Sequence, residues 1–585
     1  MRFFLLPFTA LAALFVEHSL ALPAPSNTQD QPTRAVLDER ATAPTVAISP
    51  SNTVVGSVSG SVESFNGIYF ADSPTGSLRL KPPQKLSTDL GDAFDASGSA
   101  AACPQMLVAT ASGESLFLEV LGELLDTPLF QTATDQTEDC LTVSVARPAG
   151  TVAGANLPVL VWIFGGAFEL GWTSMYDPSS LLSQAIDQDQ PFIFVAVQYR
   201  VGGFGFMPGA EILADGSANL GLLDQRMGLE WVADNIAAFG GDATKVTIWG
   251  ESAGAISVFD QMALYGGDNT YNGQPLFRGA IMDSGSIVPA DPVDCPKGQV
   301  VYDTVVETAG CASSNDTLEC LRALPYETFL NAANSVPGFI GYDSVALSYV
   351  PRPDGTVLTD SPEILSATGV YAAVPMIIGD QEDEGTIFSL FQSNVTTDED
   401  LVTYLSTVYF NDATTAQIQA LIDTYPDNII SGSPFRTGLF NELYPQYKRI
   451  AALLGDLVFT LTRRGFLAET YAVNPDVPSW SYLSSYDYGT AYLGTFHGSD
   501  LLQVFYGIYN DYASNQIRTY YYNFLYNLDP NEGITTYPDW PQWEDTGSGN
   551  QLAWFSSPDG SSYLTDDFRN DSYTYLFANV ASFRI

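Results

Sequence analysis

One serine lies in a setting that favours nucleophilic chemistry. Ser252 is the middle residue of Gly250–Gly254, read Gly-Glu-Ser-Ala-Gly, which follows an apolar run at Val246–Trp249 and precedes a helical pattern at Ala255–Leu264. A serine at a sharp strand-to-helix turn needs glycine neighbours, because the strained backbone comes close to other main chain. The pattern occurs once in the chain. Its context predicts a nucleophile elbow at Ser252.

A serine hydroxyl needs a base within hydrogen-bond reach, and histidine commonly fills this role. The chain has two histidines. His18 lies in a segment that we expect to be removed from the mature protein, so His497 is the candidate base. The shortage of histidine also argues against metal sites built from several imidazoles. We therefore expect neither a metal nor a cofactor.

The third member of such a triad is a carboxylate that fixes the imidazole tautomer. With 67 Asp and Glu residues, composition alone does not select it. In α/β-hydrolases the acid lies between the serine and the histidine in the chain, at the end of a strand. The apolar run Val374–Ile378 ends in an acidic turn of this kind. Spacing leaves four candidates open there: Asp380, Glu382, Asp383 and Glu384.

Attack on a carbonyl group creates an oxyanion, which needs backbone N–H donors already in place. Ala253 supplies one such donor by its position after the candidate nucleophile. Further donors are expected at the turn after another central strand, and the segment Phe164–Phe168, read Phe-Gly-Gly-Ala-Phe, has the small residues that a close backbone approach requires. A plain glycine turn is the alternative interpretation of this segment.

The elements that must position these residues follow a regular pattern along the chain. Near-continuous apolar runs alternate with helical periodicity such as that of Leu222–Ile236. The runs are Pro158–Phe164, Phe192–Val197, Lys245–Trp249, Gly279–Met282 and Val374–Ile378. Such strands are buried on both faces, so the pattern predicts an α/β fold with a large, mostly parallel central sheet and helices on both faces. Shorter pieces between Thr45 and Leu80 predict a small N-terminal antiparallel sheet.

Charge and composition limit the classes of partner. The 585 residues include 67 Asp and Glu against 22 Lys and Arg, which gives a net charge of −45. Such a balance argues against nucleic acid and anionic lipid headgroups as partners, and favours a neutral substrate. The chain is 46% hydrophobic and 15% charged, which allows a large buried core. The sequence makes no prediction of the oligomeric state.

The N-terminus has the features of a secretory signal. A positively charged start and an apolar run, Phe3–Val16, precede a small-x-small cleavage site at Ser19–Ala21. We therefore expect residues 1–21 to be a signal peptide, residues 22–41 a leader or disordered entry, and residues 42–585 a single catalytic domain. No later apolar stretch reaches the roughly 18 residues of a membrane span. We expect a secreted, extracellular protein without a transmembrane segment.

Longer stretches resemble the type-B carboxylesterases and lipases, the cholinesterase-like α/β-hydrolases. Residues Phe239–Gly254 match the active-site signature of that family, and Glu138–Val145 match its second signature. Among its members the chain most resembles secreted fungal lipases and sterol esterases, through Trp162–Glu169, Gly266–Tyr271 and Gly494–His497. The resemblance covers most of the chain and implies the α/β-hydrolase fold.

The resemblance implies roles that spacing leaves open. In the Asp-Glu-Gly turn of the family the glutamate is the triad acid, which selects Glu384. The backbone N–H groups of Gly166 and Ala167 are implied as oxyanion donors beside that of Ala253, although many relatives have a third glycine where this chain has Ala167. Ser284 matches a serine that supports the triad glutamate in relatives. A simple strand-end serine is an equally good interpretation of Ser284.

Covalent features are also implied. The resemblance predicts two disulfide bonds, Cys103–Cys140 and Cys311–Cys320, and leaves Cys295 without a familiar partner. Three Asn-x-Ser/Thr sequons are candidates for N-glycosylation in an extracellular protein. They are Asn315, Asn394 and Asn570.

In fungal lipases the first disulfide loop is a lid, and residues 103–140 have a matching pattern. Apolar residues recur there at helical spacing, with acidic residues on the other side. The apolar residues are Phe117, Val120, Leu121, Leu124 and Leu125. A tethered amphipathic segment is typical of a lid over an apolar site. The alternative is an ordinary surface helix that stays packed on the core.

The triad pattern predicts a serine hydrolase that acts through an acyl-enzyme. The resemblance and the lid-like loop imply carboxylic esters of neutral lipids, acylglycerols or steryl esters, as its substrates. One alternative is an esterase for soluble aryl or hydroxycinnamoyl esters, with a fixed loop over a shallower pocket. Another is a non-catalytic adhesion or binding ectodomain on the same fold. The second alternative is disfavoured because Ser252, Glu384 and His497 are all present.

Overall fold

A large sheet dominates the computed structural model, which describes residues 43–106, 133, 135–485, 490–508, 511–546, 549–557 and 560–585. The predictions of a signal peptide, of a leader and of an amphipathic lid between the first two cysteines fall outside these described residues, apart from the two ends of the segment 103–140.

The strands of the described residues have the following bounds. They are β1 (Thr45–Ser49), β2 (Asn52–Val55), β3 (Ser57–Ser59), β4 (Val62–Tyr69), β5 (Gly91–Asp95), β6 (Thr142–Pro148), β7 (Leu157–Ile163), β8 (Ile193–Val197), β9 (Gly241–Glu251), β10 (Thr270–Tyr271), β11 (Gln274–Pro275), β12 (Gly279–Asp283), β13 (Met376–Gln381), β14 (Ser479–Ser484), β15 (Gln551–Ser557) and β16 (Gly560–Thr565).

The α-helices of the same residues are numbered in chain order. They are α1 (Ser179–Asp187), α2 (Gly202–Gly205), α3 (Ala210–Asp215), α4 (Leu220–Asn235), α5 (Ala253–Gly267), α6 (Pro296–Thr308), α7 (Thr317–Ala323), α8 (Tyr326–Ala333), α9 (Pro362–Thr368), α10 (Asp398–Tyr404), α11 (Thr415–Ile422), α12 (Tyr447–Gly455), α13 (Leu461–Val473), α14 (Tyr512–Asn527) and α15 (Asn570–Ala578). Short 3₁₀ segments occur at Gly76–Leu78, Thr173–Met175, Ile236–Phe239, Ile387–Ser389 and Val580–Ser582, and π-helical turns at Leu405–Tyr409, Asp456–Thr460 and Leu501–Phe505. None of the described helices is long and apolar enough to cross a membrane.

The large sheet has eleven strands in the order β16-β15-β14-β13-β12-β9-β7-β8-β6-β4-β3. Neighbours from β15 to β8 pair in parallel, and the pairs at both ends of the sheet are antiparallel. All five residues of β8 are buried, as are the last six of β7. Burial of successive residues requires cover on both faces. The predicted α/β fold with a mostly parallel sheet is therefore confirmed.

The predicted small N-terminal sheet is present, but one of its two strand pairs is parallel. It contains β1, β2 and β5. The pair β1–β2 is antiparallel, whereas β2–β5 is parallel. Strands β3 and β4, which the sequence placed in this small sheet, join the edge of the large sheet instead. The reason is that pairing partners are chosen by long-range contacts, which the local apolar pattern does not encode.

Parallel pairing brings several turns to one edge of the sheet. The adjacent strands β7, β9, β12 and β13 all run in the same direction. Their carboxyl ends therefore lie side by side. Proteins with α/β folds commonly bind their ligands just beyond these ends. The turn after β7, Ser252 after β9, Ser284 after β12 and the acidic turn after β13 meet there.

Two disulfide bonds are present, Cys103–Cys140 and Cys311–Cys320, the pairings that the resemblance implied. Cys295 is buried and forms no disulfide with another described residue. Its sulfur lies at the start of α6 and accepts a hydrogen bond from the Gly298 N–H at 3.3 Å. This contact gives Cys295 a local role in capping the helix.

Candidate active site

The strand-turn-helix around Ser252 has the geometry of a nucleophile elbow. Strand β9 ends at Glu251, helix α5 begins at Ala253, and Ser252 between them has φ 58° and ψ −126°. This region of φ/ψ space is strained for a residue with a side chain. A Cβ atom at Gly254 would lie 2.0 Å from the Ile163 carbonyl oxygen. The small neighbours expected from the sequence are thus required by close main-chain contacts.

A continuous chain of hydrogen bonds links the serine, the histidine and one carboxylate. His497 Nε2 lies 2.7 Å from Ser252 Oγ, and His497 Nδ1 lies 2.6 Å from Glu384 Oε2. All three side chains are buried. The contact with a carboxylate places the imidazole proton on Nδ1, so Nε2 is free to accept the serine proton. The Gln381 N–H holds the other oxygen of Glu384 at 2.6 Å.

Two of the four carboxylates that spacing left open are engaged in ion pairs. Asp380 Oδ2 lies 2.6 Å from Arg463 Nε, and both side chains are fully buried. Glu382 forms an ion pair with Arg436. Each of these carboxylates therefore has a guanidinium partner, and neither contacts His497 in the described structure.

The third carboxylate, Asp383, accepts hydrogen bonds from one side chain and two backbone N–H groups. It accepts hydrogen bonds from Ser433 Oγ and the Phe435 N–H, both at 2.7 Å, and from the Thr495 N–H at 3.0 Å. Burial raises the pKa of Asp383 to about 7. Of the four candidates, Glu384 is the one that contacts His497 in the described structure.

The candidate oxyanion donors surround the same point. Gly166 and Ala167 have φ angles of 113° and 57°. Together with Ser252 and His497 they line one cavity. None of the described backbone carbonyls accepts from the N–H of Gly166 or of Ala167. Both groups are therefore available to an oxygen atom in the cavity, as is expected of an oxyanion hole. The third expected donor belongs to Ala253, the first residue of α5.

A cavity lies beside Ser252 and is also lined by His497. Its walls are largely apolar and include Leu170, Phe339, Ile387 and Phe388. Apolar walls with a few convergent polar groups are typical of a small-molecule site. It is suited to an uncharged, apolar group attached to the reacting ester.

Sequence reasoning missed a buried carboxyl beside the triad. Glu251 Oε1 lies 3.4 Å from His497 Nε2. Burial raises the pKa of Glu251 well above its usual range, and the nearby carboxylates of Asp500, Glu384 and Asp283 raise it further. Glu251 therefore holds its proton more firmly than an ordinary glutamate. Its place next to the serine within the glycine motif was the signal that could have identified it.

Two further buried acids belong to this surrounding layer. Asp283 accepts hydrogen bonds from Trp249 Nε1, Tyr482 OH and Tyr521 OH at 2.7, 3.0 and 2.7 Å, and burial raises its pKa to about 6. Burial also raises the pKa of Asp500, three residues after the histidine, well above its usual range. The site is thus rich in carboxyl groups that resist ionisation.

Ser284 does not make the contact that the resemblance implied. It follows β12 with φ 56°, and its N–H donates to the Gly379 carbonyl oxygen at 2.8 Å. Within the described residues, Ser284 Oγ has no hydrogen-bond partner. A hydrogen bond to Glu384 comes from the Gln381 N–H instead. Ser284 is buried at the end of β12. This position fits its interpretation as a simple strand-end serine.

The three sequon asparagines, Asn315, Asn394 and Asn570, are all exposed. Exposure is what glycan attachment requires, so all three stay candidates.

Comparison with known proteins identifies relatives of this arrangement. The carboxylesterase family model matches residues 44–560. The secreted triacylglycerol lipase LIP1 of Gibberella zeae is 64% identical over 552 residues, which cover 94% of this chain and 93% of that protein. Secreted lipase 1 of Botryotinia fuckeliana is 58% identical over 587 residues and covers 100% of both chains. The crystal structure of EstA from Aspergillus niger superimposes with a TM-score of 0.76 at 24% identity, over 92% of this chain and 99% of that one.

The family match extends over most of the chain, and both lipases exceed half identity over nearly their full length. The likeness to EstA shows the same fold. The chain therefore belongs to the carboxylesterase family, whose members have the α/β-hydrolase fold.

Proposed function

We propose that the protein is a secreted lipase that cleaves carboxylic esters of neutral lipids, acylglycerols or steryl esters, with Ser252, His497 and Glu384 as its catalytic triad. The observation that carries this proposal is the hydrogen-bonded chain from Ser252 Oγ through the imidazole to Glu384, at 2.7 and 2.6 Å, beside an apolar cavity. Membership of the carboxylesterase family supports ester hydrolysis as the reaction.

Acylation begins when Ser252 Oγ attacks the ester carbonyl carbon and His497 Nε2 takes its proton. The carbonyl oxygen becomes an oxyanion and accepts hydrogen bonds from the N–H groups of Ala253, Gly166 and Ala167. Each such donor is worth about 3 to 4 kcal/mol of transition-state stabilisation. The intermediate then collapses, His497 gives its proton to the departing alcohol, and the acyl group stays on the serine.

Deacylation repeats these steps with water. His497 Nε2 takes a proton from the attacking water, a second oxyanion forms, and the fatty acid leaves as the proton returns to Ser252 Oγ. Glu384 holds the imidazole orientation in both halves and stabilises the imidazolium that forms each time. Buried Glu384 has the geometry for this role because its second oxygen is fixed by a backbone N–H.

The neutral substrate class is supported by the site and by the relatives. The cavity walls at Leu170, Phe339, Ile387 and Phe388 suit an acyl chain. A chain with net charge −45 repels anionic substrates. One relative is named a triacylglycerol lipase, and two are named as secreted.

We also propose that residues 42–585 act as one catalytic domain after removal of 1–21 and 22–41. The strands of a single sheet, drawn from Ser57 to Thr565, support this organisation.

The test is a hydrolysis profile across acyl chain lengths, on p-nitrophenyl esters and triacylglycerols, below and above the solubility limit of each. We expect long-chain substrates to be cleaved, with a rise in rate once an insoluble phase forms. The Ser252→Ala variant is the control for background hydrolysis. Turnover confined to short soluble esters, without a rise at the interface, would instead support the esterase for soluble esters.

A further inference from the structure

Two large apolar side chains project into solvent at the tip of one loop. Leu439 is 72% exposed and Phe440 is 78% exposed, the highest values for large hydrophobic residues in the described part of the chain. Ile430, earlier in the same stretch, is 52% exposed. Single exposed apolar residues are normal, but adjacent bulky ones on a soluble surface commonly mark a contact with another apolar surface.

A buried lysine holds the tip in place. Lys448 Nζ lies beneath the loop and donates to Thr437 Oγ1 at 2.7 Å, to the Gly438 carbonyl oxygen at 3.1 Å and to the Phe440 carbonyl oxygen at 3.4 Å. The three bonds fix the main chain on both sides of Leu439. The apolar side chains are thus presented by an ordered backbone, which lowers the entropy cost of contact with a surface.

The base of the loop is hydrogen-bonded to the turn after β13, at the carboxyl ends of the parallel strands. We call these strand ends the catalytic edge. Asp383, the residue before the triad glutamate, accepts hydrogen bonds from Ser433 Oγ and the Phe435 N–H at 2.7 Å. On the far side of the tip, Tyr444 OH donates at 2.6 Å to the carbonyl of Ser389, the neighbour of a cavity-wall residue. The loop is therefore tied on both sides of its tip to the segment that carries the triad acid and one wall of the site.

The charge of this stretch differs from that of the chain as a whole. Residues 428–441 contain no Asp or Glu, although the chain has 67 of them, and Arg436 is the one charged residue there. Arg436 forms an ion pair with Glu382. The nearest carboxylate along the chain is that of Glu442, two residues after Phe440, which is half-buried and whose pKa is raised by burial. A charged carboxylate resists transfer into a medium of low polarity, and burial of this one disfavours its charged form. The stretch is therefore suited to an uncharged apolar surface and not to an anionic one.

We propose that Leu439 and Phe440 form a hydrophobic anchor that inserts into the surface of neutral-lipid aggregates and holds the catalytic edge at the lipid–water interface. The inference rests on the proposed function, because it assumes an uncharged lipid substrate. It assigns interface binding to a loop outside the segment 103–140.

The test measures binding without turnover, in a Ser252→Ala background. The double variant Leu439→Ser, Phe440→Ser and the parent are each mixed with a triolein emulsion, and the fraction that floats with the lipid is measured. Serine lacks the favourable free energy that Leu439 and Phe440 gain when their side chains move from water into lipid. We therefore expect the partition coefficient between lipid and water to fall at least about tenfold. The matched control is Val152→Ser, since Val152 is 68% exposed but precedes β7 at the opposite edge of the sheet. It should float like the parent, and equal melting temperatures should show that all variants are folded.

Equal flotation of the double variant and the parent would overturn the inference, as would an equal loss in Val152→Ser. Binding that requires phosphatidylserine in the emulsion and is lost in Arg436→Ala would also overturn it, because the contact would then be electrostatic. Failure of the proposed function has a separate signature. The wild-type protein would leave emulsified triolein intact, whatever the flotation of the variants.

Discussion

The contacts of Glu384 predict how its replacement by glutamine should change the catalytic rate. The Gln381 N–H donates to Glu384 Oε1, and His497 Nδ1 faces Oε2. In Glu384→Gln the side-chain oxygen would keep the backbone bond, so the NH₂ group would face the imidazole. Nδ1 must then accept a hydrogen bond and the ring proton moves to Nε2, which no longer takes the proton of Ser252. We expect kcat to fall about 10³- to 10⁴-fold with the melting temperature little changed.

The control for this variant lies two residues away. Glu382→Gln alters a carboxylate of the same turn that is paired with Arg436 and not with the histidine. It should keep wild-type activity within a factor of a few. Activity of Glu384→Gln within tenfold of wild type would show that another carboxylate orients the base.

At the residue scale, the sequence could select one serine and one histidine as candidates because each has a distinctive feature. Ser252 is the centre of a glycine motif, and His497 is the single histidine outside the expected signal peptide. The acid was not identified by spacing, because four carboxylates share one turn and the direction of each depends on the fold around it. The role of Glu251 was missed for a similar reason, since its raised pKa arises from burial and from carboxyls distant in sequence.

The nucleophile elbow gives a prediction about an element. A Cβ atom at Gly254 would lie 2.0 Å from a carbonyl oxygen of β7, at Ile163. Neither main-chain segment can move without disturbing the sheet or the serine. Gly254→Ala should therefore lower the free energy of unfolding by at least about 2 kcal/mol and greatly reduce activity. Chemical denaturation and ester hydrolysis measure the two effects.

Gly98→Ala is the matched substitution. A Cβ atom at Gly98 would meet no heavy atom within 4 Å. Stability and activity should stay at the wild-type level. If Gly254→Ala is as stable and active as Gly98→Ala, the close packing of the elbow against β7 is refuted.

Elements buried on both faces were predictable, and elements defined by distant pairing were not. The apolar runs at β7, β8, β9, β12 and β13 contain their own signal, because full burial demands apolar residues at every position. The parallel pairing of β2 with β5 joins Asn52–Val55 to Gly91–Asp95. Such a pairing is set by packing against the rest of the fold, and local alternation carries no information about it.

At the scale of the whole molecule, many buried acids resist ionisation. Burial raises the pKa of each of the following, none of which has an arginine or lysine ion-pair partner among the described residues: Glu169, Glu251, Asp260, Asp283, Asp383 and Asp500. Their folded forms bind protons at pH values where the unfolded chain has released them. Stability should therefore fall as pH rises through this window. Repulsion among 67 acidic residues acts in the same direction.

Asp260 gives a direct test of this pH dependence. Its carboxylate oxygens have no hydrogen-bond partner among the described residues, and burial raises its pKa from 3.8 to about 8. Between these values the folded state holds a proton that the unfolded state has lost, so stability falls with rising pH at a rate of about 1.4 kcal/mol per pH unit for a single such group. In Asp260→Asn the unfolding free energy should decline less steeply between pH 4 and pH 8.

The comparison is Asp95→Asn, whose carboxyl is exposed and has a pKa lowered by hydrogen bonds from Ser97. That carboxyl group titrates below pH 4. The slope of the unfolding free energy against pH, between pH 4 and pH 8, should therefore be unchanged in this variant. Identical slopes for Asp260→Asn and the wild type would contradict the assignment of a proton to Asp260.

The central claim is that Ser252 is the nucleophile of the carboxylesterase reaction. The most direct measurement is to treat the folded protein with a phosphonate ester that modifies activated serines, and to locate the adduct by mass spectrometry while residual ester hydrolysis is followed. We predict one adduct per chain, on Ser252, with activity lost in proportion to labelling. A folded protein modified at another residue, or fully active with Ser252 modified, would contradict the account.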